Sequence, residues 1–145
     1  QGQPPAGRHK EKQRVRTVVV TTGTAAVRGY LAEGHLPEEL FAEPSSDPFT
    51  PPPHLTGGAV DLTFTVDDVP LTPGSGFDDI TTAARANFLE ETPGHARELR
   101  RFLYWTMRSH DFIVFEPEWW HFEFGTRRWG SLTGQTAKFG VSGPI

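Results

Sequence analysis

The clearest pattern in the chain is an alternation of apolar and polar residues over residues 59–66, AVDLTFTV. Alternate side chains of a strand point to opposite faces of its sheet. The apolar residues from Val60 to Val66 are therefore expected to face a core. Asp61 is expected to point to the open face of the same strand.

The segment 119–124 repeats this alternation, with aromatic residues on one face and His121 on the other. A short apolar strand over residues 112–115 precedes it, and Pro117 separates the two because proline lacks an N–H donor. Each of the two alternating strands therefore presents one side chain that can bind a metal, Asp61 on the first and His121 on the second.

Residues between these strands favour a long helix that begins at about Pro93, with Thr92 as its N-cap. Four arginines occupy much of this helix, a pattern typical of a solvated face: Arg97, Arg100, Arg101 and Arg108. Upstream, residues 15–20 are β-branched and apolar, and residues 23–33 and 37–40 favour short helical pieces. The chain after Gly125 is expected to be a glycine-rich tail anchored by Trp129 and Phe139.

Composition narrows the chemistry that these elements can carry. A chain of 145 residues is expected to form one domain, and the absence of cysteine excludes disulfides, thiolate metal sites and a cysteine nucleophile. Any metal must then be held by histidine and carboxylate. No apolar stretch approaches the roughly 18 to 20 residues needed to span a bilayer, so no membrane partner is expected.

The net charge of −4 is unevenly spread, because residues 1–16 contain five basic residues and one glutamate. Such a lead-in is either a nucleic-acid arm or a solvated, poorly ordered end. The segment lacks interleaved aromatic residues, which favours the second interpretation, and no nucleic-acid partner is expected.

Four residues carry the candidate chemistry. The tight turn at Gly57 and Gly58 can fold His54 back over the face where Asp61 points. His121 would complete a set of two histidines and one carboxylate, which is typical of catalytic zinc with one position open for water. Glu118 lies three residues before His121, where a carboxylate can act as a general base beside the metal.

Each of these residues also has a purely structural interpretation. A lone histidine on a strand is more often a hydrogen-bonded core or surface residue than a ligand. Asp61 alone is explained by a turn or an edge strand, and Glu118 by exposure beside the tryptophans that follow it. The joint arrangement favours a metal site.

Two spaced motifs resemble a known enzyme family. Residues 54–61, HLTGGAVD, match the pattern HxxGxAxD, and residues 118–121, EWWH, match ExWH. Both patterns occur in this order in the D-alanyl-D-alanine dipeptidases, the VanX-like branch of the zinc D-Ala-D-Ala peptidases. The resemblance extends from about Pro51 to Gly140 and includes the segment 74–78, GSGFD.

The resemblance implies an α+β fold in which an antiparallel sheet is flanked by helices and the zinc site lies on its open face. It implies that one Zn²⁺ per chain is bound by His54, Asp61 and His121. Glu118 would be the catalytic base, and Asp78 lies where the family holds the free amino group of the substrate. The implied partner is a small dipeptide, and the implied location is the cytoplasm, with the periplasm as the alternative; the oligomeric state stays open.

The chain also departs from the family pattern. Pro52 stands where the family commonly has serine, and no Gly-Tyr/Trp-Arg-Pro segment precedes the motifs to supply the arginine that stabilises the oxyanion. Arg8 is the first candidate for that role, and Arg14 and Arg16 are the next candidates. We therefore expect a single domain over residues 1–145 with its catalytic region in residues 51–140, and an amino-terminal part of the family fold missing.

Three functions follow from these expectations. The first is hydrolysis of D-Ala-D-Ala in peptidoglycan-precursor turnover or D-alanine recovery. The second is a zinc D,D- or L,D-carboxypeptidase that acts on longer cell-wall peptides. The third is a truncated zinc-binding homologue without activity.

Overall fold

An antiparallel sheet with two helices forms the part of the chain that the computed structural model describes, which is residues 15–19, 47, 50–67 and 69–140. The elements, in chain order, are β1 Val15–Val19, β2 Ala59–Val66, β3 Val69–Pro70, α1 His95–Arg108, β4 Ile113–Phe115, β5 Glu118–Glu123 and α2 Arg127–Thr133. The strand order in the sheet is β1-β2-β5-β4, and the short β3 pairs with β2. The α+β class is confirmed. The helical pieces expected over residues 23–33 and 37–40 lie outside the described residues.

The pairing of β2 with β5 places the two candidate metal-binding strands side by side. Asp61 lies directly opposite His121, and Val60 lies opposite Phe122. Directly opposed residues of an antiparallel pair project to the same face of the sheet with neighbouring Cβ atoms. This register brings a carboxylate and an imidazole together although 59 residues separate them in the chain.

The β4–β5 pair is irregular next to this position. Val114 lies opposite Phe122, whereas the following residue, Phe115, lies opposite Glu118. Such bulges redirect side chains and are frequent beside active sites. Trp119 and Trp120 are consecutive residues, yet both are buried in the main core. The strict alternation expected for β5 is therefore interrupted at the start of the strand, next to Glu118.

The core lies between the apolar face of the sheet and α1. Its buried members are Leu62, Phe64, Ala84, Leu103, Trp119, Trp120 and Phe122. The opposite face of β2, which the alternation predicts to be open, is also buried. Asp61 is 8% exposed, Thr63 0% and Thr65 1%, and the Thr63 hydroxyl donates a hydrogen bond to the carbonyl of Leu71 at 2.8 Å.

Helix α1 departs from its sequence prediction in two respects. It begins at His95 with Gly94 at the N-cap and no side-chain cap, so the predicted cap at Thr92 is wrong. The predicted solvated arginine face is also wrong at Arg100, which is only 5% exposed. Arg100 is buried because its guanidinium reaches backbone carbonyl groups of the loop that precedes the helix.

The tail contains a helix that the sequence analysis did not predict. Thr126 begins α2 by accepting a hydrogen bond from the N–H of Trp129 at 3.1 Å. Trp129 is buried at 1% exposure and is an anchor as expected. Phe139 is 43% exposed, but its ring also packs against Phe124, with centroids 6.2 Å apart. Neither α1 nor α2, the helices of the described residues, is long and apolar enough to cross a membrane.

Candidate metal centre and adjoining cleft

The turn before β2 positions His54. This residue lies in a single 3₁₀ turn, Pro53–Thr56, which ends at Gly57 in the left-handed conformation, φ 71°. At Gly58 a Cβ atom would approach the carbonyl oxygen of Phe124 to 2.7 Å, so only glycine allows the turn to lie this close to the end of β5. The turn therefore holds His54 next to the strand pair.

Three potential ligand atoms converge at this point. Nε2 of His54 lies 3.4 Å from Oδ2 of Asp61 and 3.2 Å from Nδ1 of His121. Nδ1 of His121 lies 3.0 Å from Oδ1 of Asp61. The three residues form a group that can hold a metal ion, with His54 exposed and the other two buried.

The spacing of the three residues suits a zinc ion. Zinc bonds to nitrogen and oxygen are about 2.0 to 2.2 Å long, which places neighbouring tetrahedral ligands about 3.3 Å apart. Oδ1 of Asp61 is buried, and its contact with Nδ1 of His121 at 3.0 Å does not have hydrogen-bond geometry, so no hydrogen bond to this oxygen is formed among the described residues. A buried carboxylate oxygen that lacks a hydrogen bond is costly, and coordination to a cation would satisfy it.

The electrostatics of the group favour an ionised Asp61. Burial opposes its charged form, but the close contacts with His121 and His54 outweigh burial and hold the pKa of Asp61 below its usual value. Burial likewise opposes the imidazolium of His121. Asp61 and Glu123 stabilise that cation and raise the pKa of His121 to about 9 in the protein without metal.

Glu123 is a site residue that sequence reasoning missed. Its carboxylate is 1% exposed and its Oε1 lies 3.4 Å from Nε2 of His121, the ring nitrogen that faces away from Asp61. Oε2 accepts a hydrogen bond from the Thr126 hydroxyl at 2.5 Å, and Oε1 one from Arg128 at 3.4 Å. A proton held between Nε2 and Glu123 leaves Nδ1 of His121 free to bind a metal.

Glu118 lies beside the three candidate ligands. Its Oε2 is 3.7 Å from Nδ1 of His121, and its side chain is 36% exposed. Burial, followed by the negative charges of Asp61 and Asp78, raises the pKa of Glu118 above its usual value. A carboxylate with a raised pKa next to a possible metal site suits proton transfer.

Asp78 and Glu118 line the same cleft. The cleft has a volume of about 270 Å³, and Asp79, Thr81, Arg85 and Trp120 also contribute to its walls. Asp78 has a backbone φ of 56°, which is uncommon for a residue other than glycine. Burial and the charge of Asp61 raise the pKa of Asp78. The structure thus brings Asp78 near the metal group without making it a member.

The arginine expected to stabilise the oxyanion cannot be located among the described side chains. Arg8 and Arg14 lie outside them, and Arg16 belongs to β1 without a described side chain. Its assignment stays a prediction. The structure brings together the other five predicted site residues, which are His54, Asp61, Asp78, Glu118 and His121.

Comparison with known proteins identifies the family of the chain. The D-ala-D-ala dipeptidase family, peptidase family M15, matches residues 30–140. A protein of Synechocystis sp. named D-alanyl-D-alanine dipeptidase is 32% identical over 107 residues, which cover 66% of this chain and 43% of that relative. The chain therefore spans less than half the length of that curated relative. A match over most of the chain, including every residue of the metal group, shows that this protein belongs to the D-ala-D-ala dipeptidase family.

Proposed function

We propose that the chain is a zinc-dependent peptidase that hydrolyses the dipeptide D-alanyl-D-alanine to two molecules of D-alanine. The observation that carries this proposal is the convergence of His54, Asp61 and His121 beside Glu118. Membership of the D-ala-D-ala dipeptidase family supports the choice of substrate.

His54, Asp61 and His121 would hold one Zn²⁺ through two ring nitrogens and a carboxylate. This donor set is the one found in catalytic zinc sites, which keep a further position open, whereas structural sites are closed by four protein ligands. When bound, zinc supplies a Lewis acid that polarises the amide carbonyl and makes water acidic enough to react near neutral pH.

Glu118 would move the proton during hydrolysis. Its carboxylate takes a proton from the water that attacks the peptide carbonyl, and delivers that proton to the nitrogen of the leaving D-alanine. The raised pKa suits both halves of this task, because a base whose pKa approaches the working pH accepts and returns protons readily. The position of Glu118 outside the three-ligand group leaves its oxygens available for this transfer.

Asp78 would bind the free ammonium group of the dipeptide. It is partly buried and lines the same cleft as Glu118, where a carboxylate offers a counter-charge to the substrate amine. Such a contact favours a peptide that ends at this point over a longer one, whose amide nitrogen carries no charge. Asp78 would thereby restrict the enzyme to short substrates.

A substrate panel tests the proposal. Zinc-loaded protein is incubated with free D-Ala-D-Ala, with a longer peptide ending in D-Ala-D-Ala, and with L-Ala-L-Ala as the stereochemical control, and released alanine is quantified. We expect cleavage of the free D,D-dipeptide alone. Preference for the longer peptide would instead support a carboxypeptidase, and zinc binding without turnover of any substrate would support a non-catalytic homologue.

A further inference from the structure

We propose that Arg100 is a positioning residue that fixes the loop carrying Asp78 and thereby sets the affinity for the ammonium group of the substrate. The inference rests on the proposed function, since it deepens the role given there to Asp78. Nothing in the sequence pattern pointed to it, because Arg100 stands among arginines typical of a solvated helix face.

The guanidinium of Arg100 ties both ends of one loop to α1. Its Nε donates to the carbonyl of Pro73 at 2.7 Å. Nη1 donates to the carbonyl of Arg85 at 2.8 Å, and Nη2 to that of Ala83 at 2.8 Å. One side chain therefore joins residues at the start and at the end of the segment 73–85.

The burial of Arg100 is costly and calls for an explanation. A buried charge is expensive even when it is hydrogen-bonded, and an apolar side chain would fasten a helix to a loop at lower cost. Burial lowers the pKa of Arg100 only to about 10, so the side chain stays protonated at neutral pH. An apolar residue lacks the planar fork of donors, whose separate nitrogens Nε, Nη1 and Nη2 each reach a different carbonyl.

A second contact holds the same loop from the strand side. The hydroxyl of Ser75 lies 3.3 Å from Nη2 of Arg100 and accepts a hydrogen bond from the indole N–H of Trp119 at 3.0 Å. The ring of Phe77 packs against Trp119 and Trp120, with centroids 5.5 and 5.6 Å apart. The residues just before Asp78 are thereby fixed to β5.

Asp78 lies between these two attachments in a left-handed backbone conformation, φ 56°. Aspartate adopts this conformation more readily than most residues, as Asp67 and Asp111 also do, and a constrained loop makes it persist. The anchors at residues 73–75 and 83–85 supply that constraint. They hold the Asp78 carboxylate at a constant distance from Glu118 and the metal group, which lie on other elements.

Loosening the loop should therefore weaken substrate binding more than it slows the reaction. His54, Asp61, His121 and Glu118 belong to β2, β5 and the turn before β2, and none of them is bonded to Arg100. Of the residues given a role at the site, Asp78 alone lies on the loop whose ends Arg100 holds, whereas β5, which the loop contacts through Trp119, is also held by its pairing with β2 and β4. A change at Arg100 should raise KM for the free dipeptide and leave kcat and the zinc content nearly unchanged.

The test compares four forms of the zinc-loaded protein, which are wild type, Arg100→Lys, Asp78→Asn and the double variant. Lysine keeps the charge, but its donors share one nitrogen and cannot occupy the three positions of Nε, Nη1 and Nη2. We expect Arg100→Lys to raise KM for D-Ala-D-Ala by about tenfold, on the scale of couplings measured within one hydrogen-bond network. The double variant should have the same KM as Asp78→Asn, because Arg100 acts through Asp78. Arg101→Lys, on the exposed neighbour that pairs with Glu90, is the matched control and should match wild type.

The outcomes separate this inference from the proposed function. If wild type cleaves the dipeptide but Arg100→Lys lowers kcat or the unfolding temperature with KM unchanged, Arg100 only supports the fold and the inference is overturned. Additive KM effects in the double variant overturn it as well. Absence of wild-type turnover overturns the proposed function and the inference with it. Should Arg100→Lys not fold, Ser75→Ala decides: a smaller rise in KM that disappears in the Asp78→Asn background supports the inference, and an unchanged KM contradicts it.

Discussion

Replacing Glu123 by glutamine would remove one negative charge from behind His121 with little change in side-chain size. In the native protein this buried carboxylate faces the ring nitrogen of His121 that points away from Asp61. The side-chain oxygen of glutamine can still accept the N–H of Nε2 of His121, but it carries no charge. The NH₂ group of the glutamine must then face the hydroxyl of Thr126, which donates to Oε2 of Glu123 in the native protein. The ring of His121 would be oriented less firmly and would be a weaker donor to a metal.

The expected loss of zinc affinity follows from the geometry. Removing a partner behind a metal-binding histidine typically costs about 10- to 100-fold in metal affinity. The contact between Glu123 and His121 is 3.4 Å long, beyond the common range of about 2.7 to 3.2 Å for N–H···O bonds. We therefore expect the lower end, about tenfold, which corresponds to about 1.4 kcal/mol.

Competition with a chelator of known zinc affinity measures this loss directly. Glu98→Gln is the matched control, because the side chain of Glu98 is 60% exposed and pairs with the neighbouring Arg97, away from the metal group. The control should bind zinc as wild type does. Equal zinc affinity of Glu123→Gln and wild type, in protein shown to be folded, would refute the role given to Glu123.

Three further outcomes are expected from the fold. Gly58→Ala should lower the free energy of unfolding by about 1 to 3 kcal/mol, because the new methyl group would lie 2.7 Å from the carbonyl oxygen of Phe124. Urea denaturation measures this loss, and Gly76→Ala is the control because a Cβ atom there meets nothing within 4 Å. Thr126→Val should cost about 1 to 2 kcal/mol by the same assay, since it removes the cap of α2 and the donor to Glu123, and an unchanged midpoint would contradict this. The raised pKa of His121 adds stability to the metal-free protein, and this contribution is complete below pH about 6.5 and is lost as the pH rises through about 9. Urea titrations of chelator-treated protein should therefore show the free energy of unfolding falling by up to about 3 kcal/mol across this interval. A free energy of unfolding that does not change with pH would count against a charged His121.

The parts of the site that the sequence predicted depend on local rules. Alternation along two strands identified Asp61 and His121 as side chains able to bind a metal on the polar faces of these strands, and the register of β2 with β5 places them opposite each other. The glycine pair identified the turn that positions His54. Each of these inferences needs only the period of a strand or the conformational freedom of glycine.

The residues that the sequence did not reveal depend on contacts between distant segments. Arg100 resembles its neighbours on α1, and its burial follows from a loop whose carbonyls happen to face the helix. Glu123 alternates like a surface residue, yet the end of β5 is covered by Thr126 and α2. The same limit explains why the face of β2 that carries Asp61 is buried although its residues are polar. A pattern of polar residues does not show which other parts of the chain cover them.

The measurement that tests the central claim most directly is zinc stoichiometry together with turnover in two variants. Glu118→Ala removes the proposed base and leaves all three ligands, so it should retain one zinc per chain and lose hydrolysis of D-Ala-D-Ala. His121→Ala removes a ligand and should lose both. If His121→Ala binds zinc as tightly as wild type, or if Glu118→Ala still hydrolyses the dipeptide at the wild-type rate, the site is not the one described.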